Sequence, residues 1–527
     1  CNANAMAEDI DDNTFSCIEP HPYGVLPSGN VFGCSTKISQ SPLPEDVWEQ
    51  VLQYCNGDSL AQVVQTCRDW YVAGHQPELW RDLLLREYGS NVVAFVNCWK
   101  DTYVKRRVGK LSHPHQPMAV SGVYSEVYYR THLCRSFQIP SLWKSVEGGS
   151  IKRVTEPITT EEFFTHFEEP NTPVVLAGAC KTWKAFQKWK DIEYLDRASM
   201  NQTFRATSGA APMHANFTLK AYQDYCKSML LEEAPLYLFD RTALLDGTSL
   251  QEDYYPDLQR TCPFWNPTAE DSTHDLFQYL GALKRPDHTW LICGPQRSGS
   301  SWHVDPNATH AWNAAICGRK RWLFYPPGVT PPGVYPSSGG EEVAMPISIG
   351  EWLLNFYQQE HVHNLRHSPH HSRPLECTVE PGDVIFVPHG WWHAVVNIDD
   401  VNIAITHNYV SQSNLATVLR FLEYKEDQIS GCRDREESIK PEFLKRAVEE
   451  ALVKNGFESV LRDAKELAAQ GWPCKAWKDD ANEIDQQKET HVNSRKRRRD
   501  PFQTSCENSI MTKAKQHNNR AFSFSFL

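Results

Sequence analysis

With 527 residues the chain is too long for one compact core, so two or three domains are expected. Its net charge of −12 argues against a broadly basic nucleic-acid-binding protein, and no apolar run reaches the roughly 18 residues that a membrane-spanning helix requires. The 16 cysteines are scattered without a CxxC pair, which indicates reduced, mostly buried thiols in a cytosolic or nuclear protein.

The two ends of the chain are predicted to be disordered. Residues 1–40 and residues 476–527 are polar and lack apolar periodicity. The second of these segments contains SRKRRRD, which has five consecutive basic residues at 495–499. Such a run is typical of a nuclear localisation signal, and it could also contact RNA phosphates weakly. We therefore expect a nuclear protein that is also present in the cytoplasm.

Residues 41–90 are predicted to form three short amphipathic helices with tight connections. The dipeptide Asn56-Gly57 is expected to end the first helix, and Asp58 or Ser59 is expected to cap the second. The third helix follows in ELWRDLLLREYG. On these patterns alone, the segment is a small helical bundle whose apolar faces pack against each other.

This helical segment also resembles an F-box. The resemblance rests on Leu43-Pro44, Leu60, Cys67-Arg68-x-Trp70 and Leu79-Trp80. It implies a binding module that docks onto the Skp-type adaptor of a cullin-RING ubiquitin ligase through residues 43–83. Leu43 and Pro44 would insert into the adaptor.

After a connecting segment at 91–136, residues 137–426 change to short β-rich runs separated by turns. These runs are TPVVLAG, PLYLFD, TWLICGP, RWLFYPP, DVIFVPHG, AVVNI and NIAITHNYV. Many short strands with Gly and Pro between them favour an antiparallel sandwich or barrel, and TTEEFFTHF and IGEWLLNFYQQ are predicted helical insertions.

Amphipathic helices are predicted after the β-rich region, in SNLATVLRFLEYK and in KPEFLKRAVEEALVKNGFESVLRDAKELA, the latter within residues 427–475. One apolar face of the latter is predicted to contain Phe443, Ala447, Val448, Ala451 and Leu452. Such a face would cap the barrel or mediate self-association.

The stretch SSWHVDP suggests a metal site. Alternate side chains of a strand face the same way, so His303 and Asp305 would project into one cavity. Two histidines and one carboxylate leave three coordination positions open, as ferrous oxygenases require. His393, at the start of the strand after FVPHGWW, is the predicted third ligand, because a barrel can bring it back over the His303 strand.

A second group of histidines competes for the ligand role. It consists of His361, His363, His367, His370 and His371. They lie in a polar, Pro-containing stretch without strand periodicity, so we interpret them as loop residues.

A keto-acid co-substrate that chelates the metal would leave a distal carboxylate inside the barrel, and that charge requires a fixed cation. Lys320 follows the Cys317-Gly318 turn and is expected on a strand that returns beside HAWNAAI, among apolar neighbours. Further hydrogen-bond donors are expected from Tyr237, Ser300, Thr406 and Asn408.

This region resembles the JmjC oxygenases, specifically the bifunctional arginine demethylase and lysyl-hydroxylase branch, over some 290 residues. The motifs are PLYLFD, DLFQYLG, GPQRSGSSWHVDP, AWNAAICGRKRW, GEWLLNFY, FVPHGWWHAVVN and IAITHNY. The resemblance implies a mainly β fold, a double-stranded β-helix of the jelly-roll or cupin-like type with helical decorations, preceded by the small all-α F-box.

The resemblance also implies a site and an activity. His303, Asp305 and His393 would hold Fe(II), and Lys320 would pair with the distal carboxylate of 2-oxoglutarate. The remaining co-substrate residues would be Tyr237, Ser300, Asn313 and Thr406, with Asn408 also lining the pocket. The expected activity is hydroxylation of lysyl side chains or demethylation of methyl-arginyl side chains in proteins.

Two other functions remain open on the sequence. The protein could be a ubiquitin-ligase substrate adaptor that uses the barrel only to recognise its target. It could also hydroxylate a small molecule or a transfer RNA on the same barrel.

Overall fold

The computed structural model describes residues 18–27, 45–92, 94–137, 151–199, 202–208, 214–228, 231–245, 248–255, 275–432 and 438–470. Several predictions lie outside these residues: disorder of 476–527 and of 1–40 apart from 18–27, a basic signal at 495–499, and adaptor insertion by Leu43 and Pro44. Within the described residues, no helix is long and apolar enough to cross a membrane. The described cysteines are free thiols, five of them buried.

The helices lie before, within and after the β-rich region. They are α1 (Glu45–Gln53), α2 (Gly57–Val63), α3 (Arg68–Ala73), α4 (Pro77–Tyr88), α5 (Trp99–Val108), α6 (Glu126–Ser136), α7 (Thr160–Phe163), α8 (Lys184–Lys188), α9 (Ile192–Ala198), α10 (Leu219–Lys227), α11 (Ser249–Glu252), α12 (Gly281–Lys284), α13 (Ile349–Trp352), α14 (Val362–His367), α15 (Leu415–Tyr424), α16 (Pro441–Lys454) and α17 (Glu458–Ala469). Short π-helices at Phe164–Glu168 and Leu353–His361 continue α7 and α13. The two helical insertions predicted in TTEEFFTHF and IGEWLLNFYQQ are therefore helical.

The strands confirm the β-rich runs identified in the sequence. They are β1 (Val25–Leu26), β2 (Asn91–Val92), β3 (Val123–Tyr124), β4 (Lys152–Val154), β5 (Val174–Leu176), β6 (Phe204–Thr207), β7 (His214–Phe217), β8 (Tyr237–Asp240), β9 (Thr289–Gly294), β10 (Gly299–His303), β11 (His310–Cys317), β12 (Lys320–Tyr325), β13 (Tyr335–Pro336), β14 (Val343–Ala344), β15 (Leu375–Val379), β16 (Val384–Val387), β17 (Trp392–Asn397) and β18 (Asn402–Tyr409).

Two sheets face each other and form the cupin-like core. The larger sheet has the order β2-β7-β6-β8-β9-β18-β11-β16-β5-β4, and the smaller has the order β10-β17-β12-β15. Ala311 and Ile385 of the larger sheet share one buried apolar cluster with Trp322, Phe324 and Val395 of the smaller. The predicted fold class, a mainly β jelly roll with helical decorations, is therefore confirmed.

The neighbours of β12 differ from the prediction. We expected the Lys320 strand to return beside HAWNAAI, which forms β11. Instead, β12 pairs with β15 and β17 in the smaller sheet, while β11 pairs with β16 and β18 in the larger sheet. The turn at Gly318, where φ is +74°, therefore carries the chain from one sheet to the other.

The first helical unit contains α1 to α4 rather than three helices. Asn56 does not end α1; it is the N-cap of α2, because its side chain accepts from the Ser59 amide at 2.9 Å. The predicted second helix is divided in two by Cys67, whose extended backbone, with φ −157° and ψ 174°, interrupts it before α3.

Part of the N-terminal segment that we predicted to be disordered is folded. β1 pairs in parallel with β3, and Tyr23 and Val25 are buried. The few apolar residues at 18–27 were enough to pack against the helical unit, although the surrounding composition is polar.

The C-terminal helices pack against the barrel next to the predicted metal site. Leu415 and Leu444 share a buried cluster with Ala308, three residues after Asp305. Phe443 was predicted to belong to the apolar face of α16, but it is 54% exposed, and Leu444 is buried in its place.

Candidate metal and co-substrate site

Pairing of β10 with β17 places two predicted ligands side by side. His303 is directly opposite His393 in this antiparallel pair, and their ring centres are 4.1 Å apart. The register shifts between Ser300 and His303, which bends β10 at the ligand. Residues 90 positions apart in sequence are thus adjacent in the sheet.

Asp305 completes the cluster, but it lies after the end of β10 and not on one strand with His303, as was predicted. One potential ligand atom from each of His303, Asp305 and His393 lies within 4.8 Å of the others. The Asp305 Oδ2 atom is buried and has no hydrogen-bond partner among the described residues. Burial raises the pKa of this carboxyl to about 6. Because a buried carboxylate oxygen without a partner is costly, this position fits a residue that faces a cation.

The backbone orients both imidazoles for metal binding. His303 Nδ1 bonds the Ser301 carbonyl at 2.7 Å, and His393 Nδ1 bonds the Trp391 carbonyl at 3.1 Å. Since a carbonyl only accepts, each Nδ1 carries the hydrogen and each Nε2 carries the lone pair. Burial lowers the pKa of His303 to about 3 and that of His393 to about 4, so both rings are neutral and able to bind a metal.

Lys320 lies in the same cavity and is fully buried. Its Nζ donates to Asn397 Oδ1 at 2.8 Å and to the Tyr237 hydroxyl at 3.0 Å. No carboxylate of the described residues forms an ion pair with it. Burial lowers the pKa of Lys320 to about 7. A buried amine of this kind fits an acidic ligand, because a carboxylate would restore its charge.

The same cavity is lined by the other predicted co-substrate residues: Tyr237, Ser300, Asn313, Thr406 and Asn408. Asn313 and Thr406 are opposite each other in the β11–β18 pair, and Ala311 is opposite Asn408. The structure therefore brings all nine predicted site residues to one cavity.

Asn313 and Thr406 differ in their hydrogen bonds to the rest of the protein. Asn313 Oδ1 is buried without a hydrogen-bond partner in the part of the chain that the structure describes. Thr406 Oγ1 donates to the Trp312 carbonyl at 3.0 Å. The Thr406 hydroxyl hydrogen is engaged by this carbonyl in the structure, and its role as a donor to the co-substrate stays a prediction.

Comparisons with known proteins agree with this architecture. Residues 160–414 match the family model of a cupin-like domain, and residues 41–86 match the F-box-like model. An Arabidopsis thaliana protein named arginine-specific demethylase JMJ22 is 35% identical over 81% of this chain and 81% of its own length. The chain belongs to the JmjC family of cupin-like oxygenases.

Other JmjC relatives match mainly the barrel. The Caenorhabditis elegans bifunctional arginine demethylase and lysyl-hydroxylase psr-1 is 35% identical over 54% of this chain and 66% of its own length. The Mus musculus 2-oxoglutarate and iron-dependent oxygenase JMJD4 is 29% identical over 50% of this chain and 61% of its own length. These two relatives therefore extend beyond the part that this chain matches.

Asn397 is a site residue of this JmjC barrel that the sequence reasoning missed. It is opposite Lys320 in the β12–β17 pair, accepts from Lys320 Nζ, and donates through Nδ2 to Ser298 Oγ at 2.9 Å. A signal was available: residues 393, 395 and 397 alternate along β17, so Asn397 shares the strand face of the ligand His393.

Three of the five competing histidines lie on helices, so their interpretation as loop residues is wrong for those three. His361 ends the π-helix at Leu353–His361, and His363 and His367 lie on α14; His370 and His371 follow in a turn. His361 is fully buried, with Nε2 3.3 Å from Glu376 and Nδ1 3.2 Å from the Tyr325 hydroxyl. Its contacts are those of a core residue.

Proposed function

We propose that this protein is an Fe(II)- and 2-oxoglutarate-dependent protein oxygenase that acts on lysyl or methyl-arginyl side chains. The observation that carries the proposal is the shared cavity: a carboxylate with one buried, unbonded oxygen lies beside two oriented imidazoles, together with a buried lysine that has no carboxylate partner among the described residues. The first group fits the metal, and the second fits the distal carboxylate of the co-substrate.

One group of residues would bind the metal, and a second group would orient the co-substrate. His303, Asp305 and His393 would hold the metal on one side, and Lys320, Tyr237 and the amide of Asn313 would orient the co-substrate. When both are bound, iron and 2-oxoglutarate supply, with O2, an oxidant for a C–H bond. Hydroxylation of an N-methyl carbon gives a product that loses formaldehyde, so one site supports both hydroxylation and demethylation.

The lining of the cavity supports a cationic substrate side chain. Phe239 and Trp290 lie in the wall with ring centres 5.4 Å apart, and Phe239 is partly exposed. Aromatic faces attract ammonium and guanidinium groups, including their methylated forms. Names of the relatives, which include arginine demethylase and lysyl-hydroxylase, agree with this class of substrate.

The oxygenase proposal is tested by 2-oxoglutarate turnover. Purified protein should convert 2-oxoglutarate to succinate only with Fe(II), and His303→Ala or Asp305→Ala should stop the conversion. His367→Ala, an exposed histidine on α14, is the matched control and should retain turnover. Undiminished turnover in the His303 and Asp305 variants would refute the assignment.

The substrate is tested by mass spectrometry of lysine-containing and methyl-arginine-containing peptides after incubation. A gain of one oxygen indicates hydroxylation, and loss of a methyl group indicates demethylation. Modification of neither peptide class, together with turnover on a small molecule or a transfer RNA, would replace the proposed substrate while leaving the oxygenase chemistry in place.

A second function is favoured by the F-box-like match at residues 41–86 and by the helices α1 to α4. We propose that this unit binds a Skp-type adaptor through residues 43–83. Adaptor capture by the intact protein should be lost in a Leu43→Ala, Pro44→Ala double variant. Phe443→Ala, an exposed residue of α16, is the control and should not affect capture.

The basic run at 495–499 motivates a proposal for location: nuclear, with a cytoplasmic fraction. Replacing its five basic residues with glutamine should move a fluorescent fusion from the nucleus to the cytoplasm. Weak RNA binding by the same run would be reduced by the same replacement and by salt.

A further inference from the structure

A second cavity lies between the F-box-like unit and the cupin-like unit. His75 and Trp80 line it from the helical side, and Leu231 and Glu232 line it from the cupin-like side. Its aromatic walls are completed by Tyr23, Phe95 and Trp99.

Lys100 supplies the cation of this cavity. Its Nζ bonds His75 Nε2 at 2.7 Å and lies 5.6 Å from the centre of the Trp80 ring. His75 Nδ1 bonds the Tyr71 carbonyl at 2.6 Å, so Nδ1 carries the hydrogen and Nε2 accepts from the ammonium group. Lys100 is therefore held by a neutral acceptor.

The carboxylates near Lys100 have other partners. Asp101 accepts from Asn97 Nδ2 at 2.6 Å and from the His115 amide at 2.8 Å. Glu232, on the cupin-like side of the cavity, accepts from the Trp99 indole and the Tyr225 hydroxyl. Among the residues that the structure describes, no acidic side chain forms an ion pair with Lys100.

Lys100 therefore repeats the arrangement of Lys320 in the JmjC cavity. Each Nζ donates to a neutral acceptor, Asn397 Oδ1 or His75 Nε2. Each lies above an aromatic ring, 5.4 Å from the centre of Tyr237 for Lys320 and 5.6 Å from that of Trp80 for Lys100. Each lines a cavity, and neither forms an ion pair with a carboxylate in the described part of the chain. Two differences are that Lys100 is only partly buried and that Asp101 lies near enough to raise its pKa, an effect smaller than that of burial. Burial lowers the pKa of both lysines.

We propose that the cavity around Lys100 binds a small organic carboxylate with a flat apolar body. The carboxylate would pair with Lys100, and the apolar body would lie against the aromatic walls. Because the walls come from both units, a bound ligand would join the F-box-like unit to the barrel and stabilise their contact. The inference is independent of the proposed oxygenase activity.

The proposal is tested by isothermal titration calorimetry on the purified full-length protein, with phenylacetate as the probe and phenylacetamide as its uncharged counterpart. Phenylacetate should bind, and phenylacetamide should bind about tenfold to a hundredfold more weakly, the factor that one charged hydrogen bond provides. Lys100→Met should weaken phenylacetate by the same factor, whereas Lys105→Met, an exposed lysine of α5, should not.

Two further variants separate this cavity from the JmjC cavity and from effects on folding. Phenylacetate binding should survive in Lys320→Met, which removes the cation of the other cavity. Ser228→Leu fills the second cavity while keeping Lys100, and should block binding even if Lys100→Met does not fold. The proposal is overturned if phenylacetate does not bind, if it binds Ser228→Leu unchanged, or if Lys320→Met alone abolishes binding.

Discussion

Replacing Lys320 with methionine should have opposite effects on the ligand-free and ligand-bound protein. In the ligand-free protein, burial lowers the pKa of Lys320 to about 7 from an ordinary value of about 10.4. Between these two pH values the unfolded chain binds a proton that the folded chain has released, so stability rises with pH across the window. At neutral pH the buried lysine therefore destabilises the fold, by at most about 4 kcal/mol.

Methionine is similar in length and carries no charge. We therefore expect Lys320→Met to raise the free energy of unfolding of the ligand-free protein at pH 7.5 by about 1–3 kcal/mol, after allowance for the two lost hydrogen bonds. The same change should weaken 2-oxoglutarate binding by roughly 2–4 kcal/mol, about thirtyfold to a thousandfold, because the distal carboxylate loses its cation.

The assay is thermal and urea unfolding with and without 2-oxoglutarate and Mn(II), combined with calorimetric titration. Lys220→Met, an exposed lysine on α10, is the matched control and should change neither quantity by more than about 0.5 kcal/mol. Wild-type protein should take up a proton on binding 2-oxoglutarate at pH 8, and its affinity should fall as pH rises above about 7. A Lys320→Met variant that is less stable without ligand yet binds 2-oxoglutarate normally would refute the reasoning.

Three other substitutions test the site and its support. Asp305→Asn removes a carboxylate whose Oδ2 atom is buried without a hydrogen bond, so Mn(II) affinity should fall about a hundredfold or more in calorimetry while the metal-free melting temperature does not fall. Asn397→Leu removes the acceptor of Lys320 and should raise the KM for 2-oxoglutarate about tenfold in the turnover assay, with Mn(II) affinity unchanged. Glu376→Gln leaves Arg321 buried without its acidic partner and should cost about 3–5 kcal/mol in urea unfolding; a loss below about 1 kcal/mol would contradict that role.

The sequence determined which face of a strand most of the site residues occupy; Asp305 is an exception, because it follows the end of β10. His303 lies in a run with strand periodicity, and Lys320 directly follows a Cys-Gly turn into another, so the alternation of side chains was readable from residue type and spacing. The family resemblance added His393 and the co-substrate residues. For this reason the fold class and the convergence of nine residues on one cavity were predictable before the strands were paired.

Tertiary structure alone decided which strands are neighbours and which polar groups are supported. β12 pairs in the smaller sheet rather than beside β11, and this pairing brings Asn397 to Lys320. His361 is a core residue because helices and β15 enclose it, although its surroundings in sequence are polar. The cavity around Lys100 likewise requires the F-box-like and cupin-like units to meet. The physical reason is that strand register and burial depend on contacts between distant residues, whereas sequence periodicity reports only the local direction of a side chain.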